Sequence, residues 1–173
     1  LILTSQVAFE IYEKIIMETI IEIGSKEEQG VINQELEMIM NAFPDDFFQT
    51  TQLQRIIIPF DFQAEINKLE NIETYEVTRN YGGNTANVLG KIVKVENGFI
   101  IVLSPFLYTQ GQDTQTRMQT IFHELFHAVN RRDFPKVLNV PYVSGIYYEK
   151  LYNLYDEYSC DRFASKMTNA IFP

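Results

Sequence analysis

The sequence predicts an α+β domain, with helices at the start, a small antiparallel sheet in the middle and two long helices at the end. Three changes of apolar period predict it. Apolar residues recur every three or four positions over residues 4–42, every second position from about residue 73 to 103, and at helical spacing again after residue 114. With 173 residues, 46% apolar and 21% charged, the chain is long enough and ordinary enough in composition to bury one sizeable core. Residues 1–50 are expected to form a helical segment packed on a domain made by residues 51–173.

Residues 4–23 read as an amphipathic helix, with Val7, Ile11, Ile15, Ile16, Ile20 and Ile23 opposite Glu10, Glu13, Lys14 and Glu22. Gly24 ends it, residues 24–30 form a polar turn, and residues 31–42 repeat the pattern through Ile32, Leu36, Ile39 and Met40. Together they predict an N-terminal helical hairpin. Pro44-Asp45-Asp46 breaks it. The run from Leu53 through Ile58 reads either as a short buried strand or as a final helical turn. Residues 61–70 read as a short helix capped by Asp61, with Ile66 and Leu69 facing inward.

The strands follow. Residues 74–78 and 87–95 have strand character, with a turn at Tyr81-Gly82-Gly83-Asn84 between them. Glu96-Asn97-Gly98 holds the Asn-Gly pair favoured in tight hairpins, so residues 99–103 should return antiparallel to the second strand. This meander leads into a helix that starts near Thr114 or Thr116 as N-cap and stops near residue 133, before Pro135. Residues 135–147 read as a loop and residues 148–169 as the last helix.

Charge and composition narrow the function. A net charge of −9 argues against a nucleic-acid backbone as the main partner, because phosphate binding needs clustered Lys and Arg. The single cysteine, Cys160, makes no intramolecular disulfide and favours a reducing compartment. No apolar run reaches the roughly 18 residues of a membrane span, and Leu1-Ile2-Leu3-Thr4 lacks the basic start of a signal peptide. A cytoplasmic protein without a membrane partner is the expectation. An export signal ahead of Leu1 would change that reading. The pattern does not set an oligomeric state.

The chemistry sits in His123-Glu124-Leu125-Phe126-His127. Residues four apart on a helix lie one above the other on the same face. Two imidazoles so placed grip one Zn²⁺ at about 2.0–2.1 Å each, and the Glu after the first histidine serves as general base. Zinc lowers the pKa of a bound water to about 7, within reach of such a carboxylate. These are the only histidines in the chain. The third ligand of an open zinc site must therefore be Glu, Asp or Cys160. Glu157 and Asp161 are again four apart on the last helix. One can bind the metal while the other accepts the free ring N–H of a liganding histidine.

This two-part pattern resembles that of gluzincin metallopeptidases, whose domains are zincin-like. More narrowly, Glu157-x-x-Cys160-Asp161-x-Phe163-Ala164 resembles the signature of ImmA/IrrE-type proteins, as does the approach through Ile100–Leu103, Ser104-Pro105 and Arg117 to the histidine motif. The resemblance covers residues 98–165. Phe126 stands where a Gly is usual, Cys160 replaces a small Ala, and the chain before residue 75 has no counterpart. The resemblance implies Glu157 as third zinc ligand and Asp161 as its outer partner. It implies an edge strand before the metal helix that accepts an extended peptide. It further implies an endopeptidase with a narrow protein substrate, such as a regulator or repressor, in bacteria or their mobile elements.

An oxyanion formed during hydrolysis needs a donor, and Tyr147, Tyr148 and Arg131 are the candidates. Two other readings compete. One is a metal-stabilised regulatory or binding domain, closed by a fourth protein ligand. The other is an exported, toxin-like gluzincin.

Overall fold

The computed structural model describes residues 17–44, 46–73, 76, 78–81, 84–133 and 142–172. These form a mixed α+β structure around a four-stranded sheet. The sheet strands are β1 (Glu18–Ile21), β2 (Leu53–Ile58), β5 (Gly90–Val95) and β6 (Gly98–Leu103), in the order β1-β2-β6-β5. β1 and β2 are parallel, as are β2 and β6, while β5 and β6 are antiparallel. A separate antiparallel pair joins β3 (Thr78–Tyr81) to β4 (Asn84–Asn87). The helices are α1 (Lys26–Met40), α2 (Phe47–Thr50), α3 (Phe62–Glu70), α4 (Phe106–Thr109), α5 (Thr114–Asp133) and α6 (Tyr142–Ile171).

The sheet is covered on both faces, which explains the unbroken Ile56-Ile57-Ile58 run. Ile56 and Ile58 join Ile101 and Leu103 in a core shared with Leu36 and Ile39 of α1 and with Ile121, Phe122 and Leu125 of α5. Ile57 points the other way, with Val93, Ile100 and Val102, against Phe62 and Ile66 of α3. The strand alternative for residues 53–58 is thus the correct one. The hairpin at Asn97-Gly98 forms as expected, with Val95 opposite Gly98. Its glycine is obligatory: φ is +150°, and an added Cβ would stand 2.1 Å from the Gln52 carbonyl oxygen.

Four expectations are corrected. Residues 18–21 are a strand, not the end of a helix; residues 1–16 lie outside the described residues. Thr19, Ile20 and Ile21 are β-branched, and pairing with β2 supplies the backbone partners that decide between the two conformations. No helical hairpin forms among the described residues. Instead α1 starts at Lys26, capped by a Ser25–Glu28 capping box, so the expected turn over residues 24–30 is mostly helix. The sheet is mixed rather than an antiparallel meander, and the expected second strand, residues 87–95, is β5 from Gly90 on, with only Asn87 belonging to β4. Finally, α6 begins at Tyr142, earlier than residue 148; Pro135 and the rest of residues 134–141 lie outside the described residues, as do Thr74, Tyr75, Val77, Gly82 and Gly83.

The cap of α5 is also relocated. Asp113 Oδ1, rather than a threonine hydroxyl, accepts the Thr116 N–H at 2.7 Å. That bond holds the Asp113 carboxyl below its ordinary pKa of 3.8. A carboxyl depressed in the folded state stabilises the fold above its unfolded pKa and loses that contribution as the pH falls through the folded value. The melting-temperature gap between the protein and Asp113→Ala is therefore expected to be full at neutral pH and to narrow as the pH drops below 3.8. Thermal denaturation across an acid series measures it. Further along, Arg117 grips Glu35 of α1 in a two-pronged ion pair at 2.7 and 3.0 Å, fixing α1 against the start of the metal-motif helix.

Candidate metal centre

α5 and α6 pack side by side and carry the site between them. Phe126 stacks on Phe163 at 4.2 Å, so the aromatic at this position serves the helix–helix seam. On α6 one buried stripe runs through Asp156, Cys160, Ala164 and Thr168. Glu157 and Asp161 lie one step round the helix.

The two histidines meet as helical spacing requires. Their Nε2 atoms are 3.0 Å apart. Each Nδ1 faces a carboxylate: His123 Nδ1 lies 2.9 Å from Asp161 Oδ1, and His127 Nδ1 lies 2.8 Å from Asp156 Oδ2. An ionised carboxylate only accepts, so each Nδ1 carries a hydrogen, and the two Nε2 atoms at 3.0 Å share a positive charge between them, either a proton or a metal cation. Two nitrogens bound tetrahedrally to one zinc stand roughly 3.3 Å apart, so the pair needs only a small adjustment to hold a divalent cation.

The converging donor atoms belong to His123, Glu124 and His127. Glu157 Oε2 is 3.5 Å from His123 Nε2, on a side chain that is 50% exposed. Among the candidates for a third ligand, Glu157 is the one beside the paired Nε2 atoms. Cys160 is not: its Sγ lies 3.3 Å from His127 Nδ1, on the far side of the ring, and is fully buried. His127, Asp156 and Cys160 form a second set of donor atoms. Asp156 is already committed there, its two oxygens engaged by His127 and by Asn130 Nδ2 at 2.7 Å, which makes this set a support for the ring.

Asp156 is the functional residue that the sequence reading missed. The reading assigned the outer carboxylate to Asp161 alone, whose side chain is 71% exposed, whereas that of Asp156 is 9% exposed. A hydrogen bond away from water is electrostatically the stronger of the two. The available signal was the four-residue spacing from Asp156 through Cys160 and Ala164 to Thr168, which puts a carboxylate on a buried face where it must be paired. Burial pushes the Asp156 pKa up, but the hydrogen bond and charge of His127 and the Asn130 amide outweigh this, and the net direction is down. Asp156→Asn is expected to weaken the affinity of this candidate site for a divalent metal about tenfold, with Asp161→Asn costing less; competition against a chromophoric chelator reads both.

The electrostatics suit proton transfer. Burial raises the Glu124 pKa against the opposing pull of His127 and His123. Burial lowers that of His123, but the Glu157 hydrogen bond and the charges of Glu124, Asp161 and Glu157 overcome it, so the net direction is up. A cleft of about 880 Å³ opens over the site, lined by His123, Glu124, Glu157, Asp161, Leu154 and the segment Asn87–Gly90. A smaller recess of about 380 Å³ adjoins it, lined by both histidines, Glu124, Glu157, Lys91 and Arg131. Arg131 Nη1 donates to the Ile92 carbonyl at 3.3 Å, which keeps the guanidinium at the rim. Tyr147 and Tyr148 belong to α6, but their side chains lie outside those described.

The strand beside the site is β5, not β6. β6 is enclosed between β2 and β5, which corrects the expectation that the strand directly before the metal helix forms the edge. Gly90, at the start of β5, touches Glu124 so closely that a Cβ there would be 2.7 Å from its Cγ.

No protein-family model matches the chain, and neither a curated protein nor a solved structure is similar to it. No helix among the described residues is long and apolar enough to cross a membrane.

Proposed function

We propose that the protein is a zinc-dependent endopeptidase of the gluzincin kind, most like the ImmA/IrrE proteins, with a zincin-like catalytic domain. One observation carries the reading: two histidine Nε2 atoms face each other at 3.0 Å with a buried glutamate beside them, lining a recess that shares His123, Glu124 and Glu157 with the larger cleft. His123, His127 and Glu157 would hold the cation, and a cation there would polarise a peptide carbonyl and activate water. Asp156 and Asp161 hold the imidazoles in the Nδ1–H tautomer. Glu124, with its raised pKa, takes a proton from the attacking water and passes it to the leaving amine. Arg131, which lines the smaller recess together with Lys91 and acts electrostatically on Glu124, would steady the oxyanion. An extended substrate would add along β5, the edge strand of the sheet among the described residues, through main-chain hydrogen bonds.

The competing idea of a closed structural site finds little support, because Cys160 and Asp161 sit at the Nδ1 atoms and leave the Nε2 side facing the cleft. By resemblance the substrate is one regulator or repressor protein met in the cytoplasm of a bacterium.

The test is metal content followed by hydrolysis. The purified protein is expected to bind one zinc, to lose it on His123→Ala or His127→Ala, and to cleave an unstructured peptide library only when metal-loaded. Mass spectrometry of the products would show it. A protein that takes up no zinc, or that is loaded and cleaves nothing, removes the proposal.

A further inference from the structure

A second recess adjoins the catalytic cleft. It has a volume of about 300 Å³, and its walls include Phe60, Phe62, Val88, Pro105 and Phe106. Asn87 and Val88 line both spaces, so this short segment is the partition between them. The Phe60 ring is 81% exposed and the Phe106 ring also faces solvent, whereas Phe62 behind them is buried. Single exposed apolar residues are ordinary, but two aromatics flanking a hollow beside a reactive centre are a different arrangement.

The backbone carrying these rings is held in place. Phe60 N–H donates to Glu22 Oε2 at 3.0 Å, and the Glu22 N–H in turn donates to the Ile58 carbonyl at 2.9 Å. Phe106 N–H donates to Ser104 Oγ at 3.3 Å. The partition is tied to the same turn, since the Ser104 N–H donates to the Leu89 carbonyl at 2.8 Å. A preformed, largely apolar hollow that shares a wall with the cleft is what a side-chain subsite requires. The cleft adds a charge preference. Its lining contains Glu76, Glu124, Glu157 and Asp161 and no lysine or arginine among the described residues.

We infer that the substrate is an extended polypeptide segment that places one bulky apolar side chain, an aromatic above all, in the Phe60–Phe106 hollow while its backbone crosses the metal site, and that acidic segments are rejected. This rests on the endopeptidase reading and names the class of sequence it acts on. The apolar ring leaves water against Phe60, Phe62 and Val88, and the cleft carboxylates disfavour a second negative charge.

Zinc-loaded Glu124→Gln protein, mixed with fluorescent peptides, separates the two claims. An unstructured host peptide is scanned with phenylalanine, alanine or aspartate at each position. At one position phenylalanine should bind about tenfold tighter than alanine, and aspartate weaker than alanine. The phenylalanine advantage should vanish with Phe106→Ser added, while the alanine peptide keeps its affinity. Phe60→Ser, at an exposed position, repeats the test should Phe106→Ser unfold. No positional preference, or a preference that survives both substitutions, overturns the inference. The parent enzyme on the same peptides reports on the other claim. Cleavage without preference would leave a peptidase lacking this subsite, and preferential binding without cleavage would leave the subsite and remove the peptidase.

Discussion

On the endopeptidase reading, Glu124→Gln is expected to lower kcat about a thousandfold while the protein keeps its fold and its capacity to bind metal. General acid–base catalysis by one side chain contributes roughly 10²- to 10⁴-fold, and among the described residues Glu124 is the only carboxylate both buried and grouped with the two histidines. The amide has the same shape but no basic oxygen. Stability should not suffer, because the carboxylate is held where burial disfavours its charge. The sign follows directly. A carboxyl whose pKa is raised on folding opposes folding once it ionises, so the metal-free Gln variant should be no less stable than the parent at neutral pH. Any gain should shrink as the pH falls toward the ordinary glutamate value of 4.5. Single-turnover hydrolysis, zinc analysis and urea denaturation together check the three claims. A variant that cleaves a confirmed substrate at the parent rate would assign the base elsewhere.

Gly90→Ala should be nearly as damaging to turnover, by a different route. The added methyl would sit 2.7 Å from Glu124 Cγ and 3.0 Å from its Cδ and Oε1, closer than a Cβ contact allows. Either β5 moves away from α5 or the carboxylate swings out of line. A misplacement of about 1 Å can cost on the order of 10²-fold in rate, and that is the loss expected in kcat. Zinc affinity should hold, since neither histidine nor Glu157 is among the atoms nearest that methyl. Alanine is otherwise the better strand residue, so a loss of activity without loss of metal would locate the damage at Glu124. Paired measurements of kcat and zinc affinity decide it. Unchanged kcat would show that β5 yields freely and that the close contact has no catalytic role.

The readable parts of this sequence were those governed by near neighbours along the chain. Asp61 capping α3 and the Asn97-Gly98 hairpin each depend on a few adjacent residues, and each was legible. The segment at residues 18–21 was not. Ile20 and Ile23 fit a helical stripe as well as a strand, and only β2, more than thirty residues away, supplies the hydrogen bonds that choose the strand. The order of the sheet was hidden for the same reason: nothing within residues 90–103 says that β6 will be flanked by β2 and that β5 will be left at the edge.

At the candidate metal centre the division is equally clear. His123, Glu124 and His127 were determined by sequence alone, because the helical repeat puts residues four apart on one face whatever surrounds them. The sequence also placed Glu157 and Asp161 together on one side of the last helix. Which carboxylate supports which histidine was decided by how α6 lies along α5. That packing turns the Asp156–Cys160–Ala164 stripe inward, gives His127 its buried partner and brings Gly90 against Glu124. Helical spacing is a property of one segment, whereas the meeting of two helices and a strand is set by the burial of side chains from all three.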